Sequence, residues 1–468
     1  MEAVMTFRHG LAGLGLLGAA CGFAPATASA QVTLPTATAS PPPTEVACPD
    51  FLPQQAHCWS GRAAKGGYYW IARPENWNGS LIVHAHGGPR TGEPQADDPL
   101  EDLERFSMTV KEGFAWAGST YRRGGYGVRM AAEDTDDLRQ IFWDSFGRPN
   151  RTILHGQSWG GNVAAKAAEL YARDAEGRVV WDGVVLTSGV LAGGTEAYKF
   201  RADLRAVYQY YCQNHPAPEE AQYPVWQGLP DGVRMTRAQL ADRVKTCTGV
   251  GLPEAERSPD QKQRLTDILS VVGVEEAQLV PHLAWGTFLF QDLVQRRLDG
   301  LNPFSNIDTV YAGSHDDTAL NAGVQRFAAD PAALARLAYD ADLSGLIVAP
   351  TLTIHGKYDP TAFVSNQAAY HDQVAAAGRA ELLVQTFTDE AEHSALNAPE
   401  YVAVFAAMMK WLDQGTKPDA RSVAMLCEEA RSRYEGDACL FDENYDLSAQ
   451  SEDGRRMKKP SGGTAGGL

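Results

Sequence analysis

The chain has no surplus of positive charge. In its 468 residues, 41 Lys and Arg face 58 Asp and Glu, a formal net charge of −17. That balance argues against nucleic acid as a partner, because phosphate binding draws on cationic side chains that displace counterions. There is no apolar run long enough to span a bilayer, which takes about 20 residues, so a stable membrane span is not expected. There is no CxxC pair and no cysteine cluster with zinc spacing, so neither a structural zinc site nor any other metal centre is indicated. There is no GxxxxGK loop for nucleotide phosphates and no internal repeat. Nothing in the sequence asks for a cofactor, and nothing marks an oligomeric state.

What is present begins with an export signal. Arg8 and His9 precede the apolar run LAGLGLLGAACGF, and small residues at Ala28 and Ala30 fit cleavage before Gln31. Residues 1–30 are therefore read as a signal peptide, and the protein as secreted or periplasmic. Cys21 offers the alternative of a lipid anchor. Six cysteines follow the signal, an even number that suits disulfides in an oxidising compartment. Nearest-neighbour pairing would join Cys48 to Cys58, Cys212 to Cys247 and Cys427 to Cys439.

Residues 31–46, QVTLPTATASPPPTEV, read as a Pro/Thr/Ala linker. Short apolar strands and helical segments then alternate. SLIVHAHGG, FAWAGST, RTILHGQ, WDGVVLT, LIVAPTLTIHG and AELLVQTFT read as strands, with helices in AAEDTDDLRQIFWDSF and NVAAKAAELYARD. This pattern predicts an α/β fold, a mostly parallel sheet flanked by helices. The alternation stops between about residues 191 and 342, which read as a large, mainly helical cap insertion over the carboxyl edge of the sheet. The core is expected in two parts, 47–190 and 343–415. Residues 416–468 form a tail with a disulfide and a disordered end.

Within that frame, Gly156-Gln157-Ser158-Trp159-Gly160 fits G-x-S-x-G between a strand and a helix. A sharp turn there would raise Ser158 as a nucleophile. A serine hydroxyl needs a base, and the base needs an orienting acid. His393, in DEAEHSALNAPE after the last strand, is the expected base, ahead of His355, His84, His86 and His155. Asp359, in HGKYDPTAF, lies 34 residues before His393 and is the expected acid. Asp389, Glu390 and Glu392 stand too close to His393 in sequence, and Asp316 and Asp317 fall in the insertion. The amide of Trp159 is the natural first oxyanion donor. The second is expected from His86-Gly87-Gly88-Pro89, with Gly88 preferred over Gly87.

HGGP, GQSWGG, HGKYD and EHSALNAPE, in this order, resemble the α/β-hydrolase superfamily, and most of all its proline iminopeptidase-like branch. The resemblance covers roughly residues 80–190 and 343–412. It implies a Ser158–Asp359–His393 triad, oxyanion amides near Gly88 and Trp159, and a substrate-selecting cap. The chain departs from that branch at Arg90 and at Glu392, where glycine is usual.

The reading that follows is a serine hydrolase acting on a small-molecule ester. The alternative is an aminopeptidase acting on short peptides. The peptidase would need cap acids for the substrate ammonium, and Glu196, Glu219, Glu220 and Asp292 are candidates. Tyr208, Tyr210, Tyr211, Trp285, Phe288 and Phe290 are either pocket lining or simple cap core. A non-enzymatic binding module would leave the ordered Ser, Asp and His unexplained.

Overall fold

The structure is a computed structural model that describes residues 39–434 and 436–447. The signal-peptide segment, Cys21 and the residues after 447 lie outside the described residues. Nine strands form one sheet: β1 (Thr44–Val46), β2 (His57–Arg62), β3 (Tyr68–Arg73), β4 (Ser80–Ala85), β5 (Ala115–Ser119), β6 (Arg151–Gln157), β7 (Gly183–Thr187), β8 (Thr351–Gly356) and β9 (Leu383–Thr388). Their order is β1-β2-β3-β5-β4-β6-β7-β8-β9. The first three strands run antiparallel to their neighbours, and from β5 through β9 every pairing is parallel.

The central strands are buried on both faces, and their side chains alternate between two apolar layers. Leu81, Val83, Ala115, Ala117, Val184 and Leu186 meet the helices Val128–Phe146 and Trp159–Leu170. Ile82, Trp116, Ile153 and Val185 point the other way, towards Phe106 and the helices Ala398–Gln414 and Ala420–Arg431. Such strands read as continuous apolar runs, which is why the sequence shows them clearly. The antiparallel strands β1 and β2 are not legible in that way, and β3 is a short apolar run, YYWIAR, left unassigned in the sequence pattern. Thr44–Val46 closes the stretch read as linker, yet it pairs with Cys58–Ser60 of β2.

Between β7 and β8 the chain is helical, with Lys199–Cys212, Arg237–Thr248, Pro259–Val272, Glu276–Ala284 and Pro331–Ala341 as its main helices. Local signals explain both boundaries of two of these helices. Thr236 with Gln239, and Ser258 with Gln261, form capping boxes, and Gly249 and Gly273 end the same helices with φ of 70° and 73°. The helix entered at Glu276 widens into π-helical turns over Trp285–Leu289 and Asp292–Arg297.

Disulfides join Cys48 to Cys58, Cys212 to Cys247 and Cys427 to Cys439. The second ties the end of one cap helix to the end of another. Beyond residue 415 the described chain, to residue 447, stays packed. Leu440 N donates to Glu400 Oε1 at 2.8 Å, and Lys357 Nζ pairs with Asp389 at 2.7 Å and with Asp442. Replacing Cys212 and Cys247 together by serine opens a 35-residue separation in the cap. The expected loss is about 2–4 kcal/mol, to be read from urea unfolding of the double variant.

Candidate functional site

The carboxyl ends of β4, β6, β8 and β9 converge on one edge of the sheet, where open α/β sheets bind ligands. At the end of β6 the backbone reverses at Ser158, which adopts φ 59°, ψ −124°. A non-glycine residue rarely takes a positive φ, and holding it costs about 1–3 kcal/mol. The neighbouring glycines make the turn possible by letting backbones touch. A Cβ on Gly156 would lie 2.2 Å from Gly160 O, and one on Gly160 would lie 2.0 Å from Ala85 O. A Cβ on Gly161 would meet Gly189 Cα at 2.7 Å. Only hydrogen fits in these positions.

Ser158 Oγ lies 2.7 Å from His393 Nε2, and His393 Nδ1 lies 2.7 Å from Asp359 Oδ2. An ionised carboxylate only accepts hydrogen bonds. Nδ1 therefore carries the proton, and Nε2 presents its lone pair to the serine hydroxyl. Asp359 is almost fully buried, and its Oδ1 accepts the amides of Thr361 at 2.8 Å and Ala362 at 2.9 Å. Burial opposes its ionisation, but His393, His355 and the Thr361 amide outweigh burial and hold the carboxyl below its usual range. The arrangement suits transfer of a proton from a hydroxyl as that hydroxyl attacks a carbonyl.

The other sequence candidates stand elsewhere. His355 is buried beneath the acid loop, bonded to Ala362 O at 2.7 Å and Gln367 at 3.1 Å. His84 and His155 meet Nδ1 to Nδ1 at 2.9 Å in the core. His86 stacks on Tyr121 with ring centroids 4.2 Å apart. Asp389 pairs with Lys357, and Glu390 Oε1 accepts the amides of Ala391 and Glu392. Asp316 and Asp317 serve a cap helix start and its preceding turn.

The loop after β4 sits against Ser158. A Cβ on Gly87 would lie 3.2 Å from Ser158 Cβ, whereas Gly88 turns with φ 69° and nothing within 4 Å of its Cβ position. Trp159 begins the following helix, where backbone amides lack intrahelical partners. Arg90, the departure noted in the motif, anchors this loop. Its guanidinium reaches Asp98 O at 3.3 Å, Glu101 at 3.0 Å and Asp102 at 3.3 Å. Burial works against Asp102 ionisation, but His84, His86 and Arg90 prevail and hold its carboxyl down at about 2. The same helix, Pro99–Arg105, reaches the His393 loop as well, because the Arg105 guanidinium donates to the carbonyl of Ser394. Arg105 was missed by sequence reading. Its partner lies 289 residues away and no local motif announces it.

The cap is pinned over the acid loop. His282 Nε2 lies 2.9 Å from Pro360 O, and Arg201 donates to Thr361 O at 3.3 Å. Arg201 is 3% exposed and packs over Phe200 and Trp285, with ring centroids at 4.4 and 4.7 Å. Burial pushes its guanidinium down to about 10, against the pull of Tyr198 and Asp359. Trp159, Tyr126, Tyr198 and Trp285 form a continuous aromatic series from the core into the cap, with successive centroids 6.0, 5.8 and 4.3 Å apart. Phe290 instead stacks on Phe304 within the cap, Tyr208 bonds Asn214, and Tyr210 packs on Tyr211. Phe288 lies beneath the Arg237 guanidinium. Of the cap acids, Glu220 pairs with Arg243 and Asp292 with Arg297, while Glu196 and Glu219 are exposed.

A mostly parallel sheet in this order, flanked by helices and capped by a helical insertion after β7, is the α/β-hydrolase fold. No protein-family model matches the chain. An o-phthalyl amidase from Xanthobacter agilis is 31% identical over 122 residues, a stretch that spans 25% of this chain and 25% of that relative. Among solved structures, an esterase from Aspergillus oryzae aligns with a TM-score of 0.39 and 14% identity, covering 82% of this chain and 86% of its own. A tannin acyl hydrolase from Aspergillus niger aligns with a TM-score of 0.37 and 12% identity, covering 81% and 82%. None of these relatives is a proline iminopeptidase.

Several buried imidazoles surround the site. Burial drives His86 down to about 4 and pushes His155 and His355 below their ordinary range. The unfolded chain binds protons at these groups below about pH 6.5, where the folded chain does not. Stability is therefore expected to fall as pH drops from 6.5 towards 4. His86 alone would contribute about 3 kcal/mol. Melting temperatures measured across that range, with His86→Gln flattening the slope, check this.

Proposed function

We propose that this protein is a serine hydrolase that cleaves carboxylic esters through an acyl-enzyme, with Ser158 as nucleophile, His393 as base and Asp359 as the orienting acid. The observation that carries the reading is the pair of 2.7 Å contacts that link the strained Ser158 to His393 and His393 to Asp359. Ser158 Oγ attacks the carbonyl carbon and its proton passes to His393 Nε2. The tetrahedral oxyanion is held by the amides of Trp159 and Gly88, at the start of a helix and in the turn beside Ser158. Collapse breaks the ester C–O bond, and the departing oxygen takes the proton from His393. Water then attacks the acyl-serine with His393 again as base, which releases the acid and restores Ser158.

The core is assigned to residues 47–190 and 343–415 and the cap to residues 191–342. The three disulfides support a secreted or periplasmic protein. No helix among the described residues is long and apolar enough to cross a membrane.

Amide cleavage is the second reading, favoured by the partial match to an amidase. Aminopeptidase activity is the weaker form of it. Glu220 and Asp292 already neutralise arginines, and Glu196 and Glu219 are exposed. None of these four acids thus stands ready for a substrate ammonium.

A fluorophosphonate probe is expected to label Ser158 in the wild-type protein and to fail in Ser158→Ala. On p-nitrophenyl esters, Ser158→Ala is expected to lose at least about 1,000-fold in kcat. Asp359→Asn, which frees His393 to take the wrong tautomer, is expected to lose about 10,000-fold. A panel of esters, aryl amides and aminoacyl anilides ranks the readings: esters turn over fastest under the first, aryl amides under the second, and aminoacyl anilides only if the peptidase reading holds.

A further inference from the structure

A cavity of about 540 Å³ lies where the cap meets the core, and four arginines line it: Arg123 from the loop after β5, Arg296 and Arg297 from the π-helical turn, and Arg336 from the helix Pro331–Ala341. In a chain of net charge −17 this is a local reversal of sign, and a cleft concentrates such a field. Three of the guanidiniums share two carboxylates. Asp292 takes Arg297 at 3.0 Å and Arg296 at 3.7 Å, and Asp299 takes Arg336 at 2.7 Å. Asp340 lines the cavity too, but its two oxygens are engaged by the amides of Val128 at 2.9 Å and Arg129 at 3.1 Å.

Arg123 differs. Its guanidinium touches only backbone, Gly124 O at 3.1 Å and Tyr126 O at 3.2 Å, and among the described residues it forms no ion pair with a carboxylate. Burial first, and then the nearby Arg297, disfavour its charge, and the longer-range pull of Asp292 and Asp340 does not offset them, so a bound anion would relieve both. Arg123 also lines a second cavity of about 210 Å³, walled by His86, Tyr121 and Trp159 and edged by Arg90, Glu93 and Asp98. Through His86 and Trp159 that cavity adjoins the chain on either side of the Gly87–Gly88 turn and of Ser158, and no residue of the His393 loop lines it. A leaving group must lie near His393 to be protonated, so a substrate group that enters here belongs to the acyl half.

We propose that Arg123 and this cavity select acyl groups that carry a second, free carboxylate, so that the substrates are monoesters of dicarboxylic acids. One guanidinium without a counterion matches one carboxylate, in the two-pronged geometry the pair favours. Leu293, Leu298 and Leu337 give the larger cavity beside Arg123 apolar walls. The inference deepens the serine-hydrolase reading and rests on it for turnover, but not for binding.

The test compares 4-nitrophenyl hydrogen glutarate with the neutral 4-nitrophenyl pentanoate, and measures glutarate binding by calorimetry at low salt. Wild-type protein is expected to favour the anionic ester in kcat/KM by about 10-fold or more, the scale of one charge-assisted hydrogen bond. Arg123→Gln is expected to remove that ratio and weaken glutarate binding by a similar factor. Arg336→Gln, at the exposed outer end, keeps the test valid if Arg123→Gln misfolds, and is expected to lower the ratio by about 2- to 5-fold through the local field. Preference for the neutral ester, with Ser158 labelled by fluorophosphonate, overturns the carboxylate subsite and leaves the hydrolase standing. Glutarate binding that depends on Arg123, with Ser158 unreactive, upholds the subsite and overturns the hydrolase.

Discussion

The backbone at Ser158 is the constraint around which the rest is arranged. A residue with a side chain is held at positive φ at the junction of β6 and the next helix, and that strain persists only because the surroundings leave no alternative. Gly156, Gly160 and Gly161 provide the surroundings. Gly156 lies against the helix that follows, Gly160 against the end of β4 and Gly161 against the loop at Gly189, each so closely that a methyl group would collide. The helix is thereby drawn against Ala85 and His86 at the end of β4, so the serine turn and the loop that carries Gly87 and Gly88 form one packed unit.

The imidazole and carboxylate come from different loops, and each loop is fixed by contacts that do no chemistry themselves. Asp359 is held by two backbone amides, and its loop lies beneath His282 and Arg201 of the cap. The helix Pro99–Arg105 braces two sides at once, with Glu101 and Asp102 on Arg90 and Arg105 on the carbonyl after His393. The cap is therefore part of the site's support as well as its cover. The aromatic series from Trp159 to Trp285 shows the same continuity of packing.

The motif departures gain a physical meaning from this packing. Arg90 stands where a glycine would be usual in the resembling peptidases, and its side chain ties the loop to the neighbouring helix. Glu392 is exposed, and its amide is bonded by Glu390. Neither disturbs the contacts among Ser158, His393 and Asp359. The cap acids considered for an ammonium are spent on arginines or exposed, which turns attention from cationic to anionic substrates.

The parallel strands, the turn at Ser158 and the order of serine, acid and histidine could be read from the chain alone. Doubly buried strands are apolar runs, and a tight turn between strand and helix needs glycine at set places. The strands β1 and β2 escaped, because partly exposed antiparallel strands mix polar and apolar residues in short segments, whereas β3 escaped although its Tyr69–Ala72 run is apolar and buried. Arg105, His282 and the unpaired guanidinium of Arg123 escaped for a different reason. Their partners lie far away in sequence or are backbone atoms, and no residue type or spacing encodes such a meeting. Local pattern sets which segments turn, extend or coil. Which charges find a counterion, and which one is left facing a cavity, was decided only when the cap closed on the sheet.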